Sequence, residues 1–142
     1  METLPTIRVD FTITGEKFDL DRLTETLGLC PSRSKTKNEW PEIIVESQDG
    51  RYNYCCTNML WEFSTERRRC KEVRFMFEEM MSHLQGKEFW INEFCKENKL
   101  TASFNVSITM NNPYRPDIFL TKEVVDFIHA LEADVGFDLY ID

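Results

Sequence analysis

Histidine and glycine are scarce in this chain, with two and five copies among 142 residues, and each shortage closes off a class of chemistry. Phosphate cradles need closely spaced glycines, and neither a P-loop nor a G-x-G-x-x-G step occurs. No G-x-S-x-G elbow and no H-E-x-x-H pair is present either. His83 and His129 both fall in predicted helices, neither with a second ligand at i, i+4, so a zinc site has no support. Both read as structural or surface residues.

Long apolar runs are also missing. The longest, Phe89 to Cys95, is broken by Asn92 and Glu93 and falls far short of the roughly 20 residues a membrane span needs. The first ten residues carry acids and a proline where a signal peptide would be apolar. A soluble cytoplasmic protein is expected, folded as one domain over residues 1–142.

Five cysteines are an odd number, and none forms a C-x-x-C pair. Reduced thiols in a reducing compartment follow. Cys70 and Cys95 fall on apolar helical faces and read as small buried hydrophobes. Cys55 and Cys56 sit in a polar loop and are the better candidates for exposure and reactivity. No cofactor and no metal is expected, and catalysis is disfavoured.

Charge is abundant but uneven. The net is −8 and the pI about 4.8. Residues 1–71 hold 11 basic and 12 acidic side chains, whereas residues 72–142 hold 6 and 13. An acidic second half repels phosphate backbones and anionic membranes, and suits a basic protein partner.

Alternation defines the strands. Ile7, Val9, Phe11 and Ile13 share one face, with Arg8, Asp10, Thr12 and Thr14 on the other. Asp19 caps a helix carrying Leu20, Leu23 and Leu27, and Gly28 closes it in left-handed conformation. Asn58 to Phe63 is expected as a strand with Met59, Trp61 and Phe63 inward. Ile43 to Val45 is a weaker strand candidate in an otherwise loop-like stretch. Ser64 or Thr65 then caps the longest helix, whose stripe is Cys70, Val73, Phe77, Met80, Met81 and Leu84. A helix over Lys87 to Asn98 turns Phe89, Trp90, Phe94 and Cys95 inward. Thr101 to Met110 alternates most cleanly. Thr121 caps a helix burying Val124, Phe127, Ile128 and Leu131, before a last strand alternating Val135, Phe137, Leu139 and Ile141. One-sided strands with helices on the covered face make a two-layer α+β sandwich, close to a ferredoxin-like plan with an antiparallel or mixed sheet.

Two charged features stand out. Arg67-Arg68-Arg69 continues into Lys71 and Arg74, and on a helix Arg67, Lys71 and Arg74 line one face. Cations in a first helical turn oppose the dipole, which invites a partner such as an acidic strip or a phosphate. The second feature is acidic: Glu132, Asp134 and Asp138, with Asp138 and Asp142 sharing a strand face with Tyr140, away from the core.

Several of these segments carry a family pattern. Thr14 to Leu20 (T-G-E-K-F-D-L) leads into Leu23 to Leu29 and then Cys30-Pro31-Ser32-Arg33. Trp61 to Thr65 opens the middle helix, and Leu120 to Tyr140 closes the chain. The sequence resembles the bacterial domain-of-unknown-function family four-two-seven-nine over nearly its whole length. Its most specific marks are the Gly-Leu-x-Pro-Ser step, that Trp and the closing Asp-x-Tyr. The insert from Lys35 to Asn58, with its cysteine doublet, departs from the pattern. The resemblance implies a small cytoplasmic bacterial or phage-encoded protein and supplies no reaction. An immunity protein neutralising a basic toxin fits it by analogy.

Three readings follow. The first is a non-enzymatic protein-binding module using Arg67, Lys71, Arg74, Glu132, Asp134 and Asp138. The second is a small enzyme relying on the thiol of Cys55 or Cys56. The third is a self-associating module, a homodimer formed through an exposed strand edge.

Overall fold

The computed structural model describes residues 4–36, 58–110 and 115–141. Along the chain run β1 (Thr6–Gly15), α1 (Leu20–Leu27), β2 (Arg33–Lys35), β3 (Met59–Ser64), β4 (Arg68–Arg69), α2 (Val73–Leu84), α3 (Glu88–Asn98), β5 (Thr101–Met110), α4 (Lys122–Ala130) and β6 (Asp134–Ile141). The strands form one mixed sheet in the order β2-β3-β1-β5-β6, with β4 paired to the start of β1. All pairings are antiparallel except β5 with β6. The fold is α+β, as the alternating strands require. Its closing β5-α4-β6 unit pairs its strands directly, where a split ferredoxin-like unit would insert another strand between them.

Register decides which side chains share a face. Ile13 stands beside Trp61 and Ala102, and Phe11 beside Phe63 and Phe104. These residues, with Ile7, Val9, Val106 and Ile108, form the apolar face. Helices meet it there: the Phe77 ring of α2 and the Phe127 ring of α4 lie 5.6 and 5.9 Å from that of Phe104. Fully burying one such side chain contributes roughly 1.5–3 kcal/mol. Trp61 is wholly buried, and its Nε1 donates to Thr24 Oγ1 at 3.0 Å, so the indole's polar edge is satisfied by α1.

The predicted caps of α1 and α4 form. Asp19 accepts from Arg22 N, and Thr121 accepts from Val124 N. Gly28 takes φ 65° at the end of α1, a conformation that penalises a side chain. At Gly15 a Cβ would meet the far end of the Leu100 side chain, which would have to shift to admit a larger residue where the α3–β5 turn presses against β1.

Three expectations are corrected. Neither Ser64 nor Thr65 caps the long helix, which starts at Val73 after Glu72. β3 covers only the Asp10–Gly15 half of β1, so the backbone groups of Thr6 and Ile7 need other partners. Arg69 and Arg68 supply them, and Thr65 is held by Val9 through a backbone bond of 2.9 Å and an Oγ1 contact of 3.0 Å. A long-range ladder outcompetes a local capping signal. In α3 the buried residues are Ile91 and Phe94, while Phe89 and Trp90 are 63% and 55% exposed. The helix can bury one stripe, and the Ile91–Phe94–Cys95 phase is the one that reaches Phe18. Last, Phe137, Leu139 and Ile141 of β6 are exposed, because α4 packs over β5 and only Val135 touches the core. Residues 37–57, with the Ile43–Val45 strand candidate and the Cys55–Cys56 doublet, lie outside the described residues.

Candidate functional site: the open face of the sheet

The polar phase of the strands converges on the face opposite the aromatic core, which is the open face among the described residues. Register lines up transverse rows across it. Arg33, Glu62, Thr12, Ser103 and Asp134 form one row, and Ser64, Asp10, Asn105 and Gly136 the next. Arg8, Ser107 and Asp138 form a third, followed by Arg69, Thr6, Thr109 and Tyr140. The middle of these rows lines a shallow groove of about 770 Å³ that crosses the sheet from Arg33 on β2 to Asp138 and Tyr140 on β6, with Asp134, Arg69, Thr6 and Thr109 outside its lining.

At its centre Asp10 is 4% exposed, although it points away from the core. Arg8 Nε lies 2.9 Å from Asp10 Oδ1, but off the hydrogen-bonding direction; the aligned bond runs from Nη2 to Oδ2 at 3.3 Å. On the β2 side, Arg33 reaches Glu62 at 3.3 Å, and Thr12 Oγ1 donates to the same carboxylate oxygen at 3.2 Å. On the β6 side, Asn105 Nδ2 donates to Asp138 Oδ2 at 3.0 Å. The groove thus presents fixed charges of both signs among hydroxyls that can donate or accept.

The structure separates the predicted site residues into two groups. Arg67 Nη1 donates to Thr109 Oγ1 at 3.3 Å, which lays its side chain over the open face. Asp134 and Asp138 occupy that same face at the β6 edge. Lys71 and Arg74 do not join them, so the helical basic strip is not formed. Lys71 lies in the segment bridged to Asp117. Arg74 stays on α2, 3.6 Å from Glu72 and stacked at 4.7 Å on the Phe75 ring. Arg68 takes the opposite phase from Arg67 and pairs with Glu79 of α2 at 2.9 Å. Glu132, at φ 50°, lines a separate 200 Å³ cleft with Cys95. The signal for Arg8, Asp10, Glu62 and Asn105 was present in the sequence as the polar phase of the strands. Without register, nothing showed that these phases meet.

Thiol chemistry finds little footing among the described residues. Burial, reinforced by the Glu132 charge, pushes the Cys95 thiol up to about 11, so it stays protonated and a poor nucleophile at neutral pH. Cys70 Sγ donates to Glu72 O, and Cys30 is exposed. His83 packs edge-on against the Phe63 ring at 5.1 Å, on the covered side of the sheet. No three His, Cys, Asp or Glu side chains among the described residues gather as metal ligands would. No described helix is long and apolar enough to cross a membrane.

No curated protein and no solved structure matches the chain. A family model does match, over residues 5–142, and its span takes in every strand that floors the groove. The chain belongs to the family described as Domain of unknown function (DUF4279).

Proposed function

We propose that this protein is a non-enzymatic binding module that engages another protein through the open face of its sheet. The observation that carries this reading is the placement of Arg67 beside Thr109, on the same face of the sheet as Asp134 and Asp138, the last of which lines the groove. A partner there meets cations toward β4 and acids along β6. The excess of acid in residues 72–142 favours a basic partner, as an immunity protein neutralising a basic toxin would bind. Direct nucleic-acid and membrane binding are disfavoured by the same charge. The setting proposed is a bacterial cytoplasm, where the thiols of Cys30, Cys70 and Cys95, unpaired in the structure, would stay reduced. The second reading, a thiol-dependent enzyme, would rest on Cys55 or Cys56.

Affinity capture from the native host, followed by binding kinetics with the captured protein, tests the proposal. Association should be fast at low ionic strength and slow as salt rises, because opposite fields steer the encounter. Salt-independent association, or turnover of a metabolite by the purified chain alone, would overturn it.

A further inference from the structure

A second groove, of about 500 Å³, runs between the end of α2 and the length of α4, and its lining differs from that of the open face. Met81 of α2 and Phe127 and Ala130 of α4 make its apolar surface, and Phe127 is the ring that packs inward on Phe104. Glu88 from the first turn of α3 stands beside them, with Glu123 and Asp126 from α4. Every charged side chain in this lining is an acid, whereas the open-face groove sets Arg8 and Arg33 among its carboxylates.

These acids belong to a surplus that the open face does not absorb. The whole lining falls in residues 72–142, which hold 6 basic and 13 acidic side chains. The open face takes Asp134 and Asp138 from that surplus, and the groove takes three more. First-turn positions suit Glu88 and Glu123 to their helix dipoles, so both carboxylates are held in place by the fold itself. Lys122, beside the groove, pairs with Asp126 at 2.8 Å. Both side chains are largely exposed, and an exposed pair of this kind contributes little and is readily exchanged for another cation.

We propose that this groove docks an arginine-bearing segment of a basic protein, its guanidinium heads on Glu88, Glu123 and Asp126 and its methylene stems along Met81, Phe127 and Ala130. Charge complementarity selects the occupant: an anion is repelled from three sides, and a purely apolar segment leaves the carboxylates unanswered. Arginine matches both parts of the surface, because its stem buries against apolar side chains while its head stays at the polar rim. Its planar fork also meets carboxylates two bonds at a time, and it sheds water more easily than an ammonium. From Glu123 to Ala130 the helix rises about 10 Å, the length of roughly three residues of extended chain. The groove lies on helices rather than on the sheet, so it stands independently of the open-face interface proposed above.

Fluorescence anisotropy with a labelled hexa-arginine peptide tests the site. The peptide should bind saturably, more tightly than hexalysine, and its affinity should fall as sodium chloride is added. Glu123→Gln with Asp126→Asn should weaken binding about ten-fold or more. Asp134→Asn with Asp138→Asn makes the same change in net charge on the open face and should leave the affinity within about two-fold. Ala130→Trp keeps the charge but fills the apolar surface at an exposed position, and it should also weaken binding. Absence of hexa-arginine binding overturns the proposal, as does hexalysine binding equally well. So does an open-face pair that matters as much as the groove pair, or an Ala130→Trp chain that binds like the parent. Should Ala130→Trp fail to fold, the two charge-matched variants decide alone. Failure here leaves the open-face reading standing, since that reading is judged with the captured partner and not with this peptide.

Discussion

β1 offers Ile7, Val9, Phe11 and Ile13 to one side and Arg8, Asp10, Thr12 and Thr14 to the other, and the two sides meet different fates. On the first, the chain adds α2 and α4 over Phe104, brings Trp61 under α1, and leaves the central side chains without water contact. On the second, described side chains answer one another, Arg8 with Asp10 along β1, and Arg33 with Glu62 and Asn105 with Asp138 across neighbouring strands. Apolar burial is worth kilocalories per residue, while partly exposed ion pairs contribute about 0–1 kcal/mol. The covered face therefore holds the fold together. The open face, whose pairs add little stability, is the side on which charge is available for recognition.

The sharpest break in that contrast should come from Trp61. Trp61→Ala removes a fully buried indole together with the bond it donates to Thr24 Oγ1, and it should cost about 3–5 kcal/mol in chemical denaturation. That is a large share of the stability of a domain this size. Retention of the parent's midpoint would mean that the covered face is not what holds the molecule together.

A smaller loss is expected where the two faces are tied at their boundary. Thr65 receives the Val9 N–H on its Oγ1 and returns its own N–H to Val9 O, both within buried surroundings. Thr65→Ala leaves the Val9 donor unpaired and should cost about 1–3 kcal/mol. Thr65→Ser, which keeps the acceptor, should recover most of it.

The smallest effect is a pH dependence. The Cys95 thiol is raised to about 11 in the folded protein, against an ordinary value near 9. Above that ordinary value the unfolded chain loses this proton first, so its contribution to stability is full below about pH 9 and disappears as pH rises toward 11. Cys95→Ala should flatten the stability profile in that window relative to the parent. The same burial should make Cys30 react with alkylating reagents well before Cys95.

Much of this architecture was legible because alternation and caps are local. β5 begins and ends at Thr101 and Met110 as its pattern requires, and Asp19, Gly28 and Thr121 cap as their chemistry dictates. The misplaced helix start had a non-local cause: Arg68 and Arg69 are drawn out as β4 by the open backbone of Thr6 and Ile7, which no window of sequence reveals. Phe89 and Trp90 misled for the opposite reason, since large aromatics suggest burial while the helix can turn only one stripe inward. The site was half legible. Asp134 and Asp138 emerged from charge, and Arg67 emerged with the wrong companions. Arg8, Asp10 and Glu62 join them only through strand register.

The division of labour between the faces is tested most directly by a triple reversal on the open side: Arg67→Glu, Asp134→Lys and Asp138→Lys in one chain. All three side chains lie over the polar rows and outside the buried cluster. The melting temperature should stay within a few degrees of the parent, since surface substitutions usually change stability by no more than about 0.5 kcal/mol. The association rate with the captured partner at low salt should change by about ten-fold or more, with a flattened or inverted salt dependence. Unchanged association kinetics in a fully folded variant would contradict the account, as would a collapse in melting temperature comparable to that of Trp61→Ala.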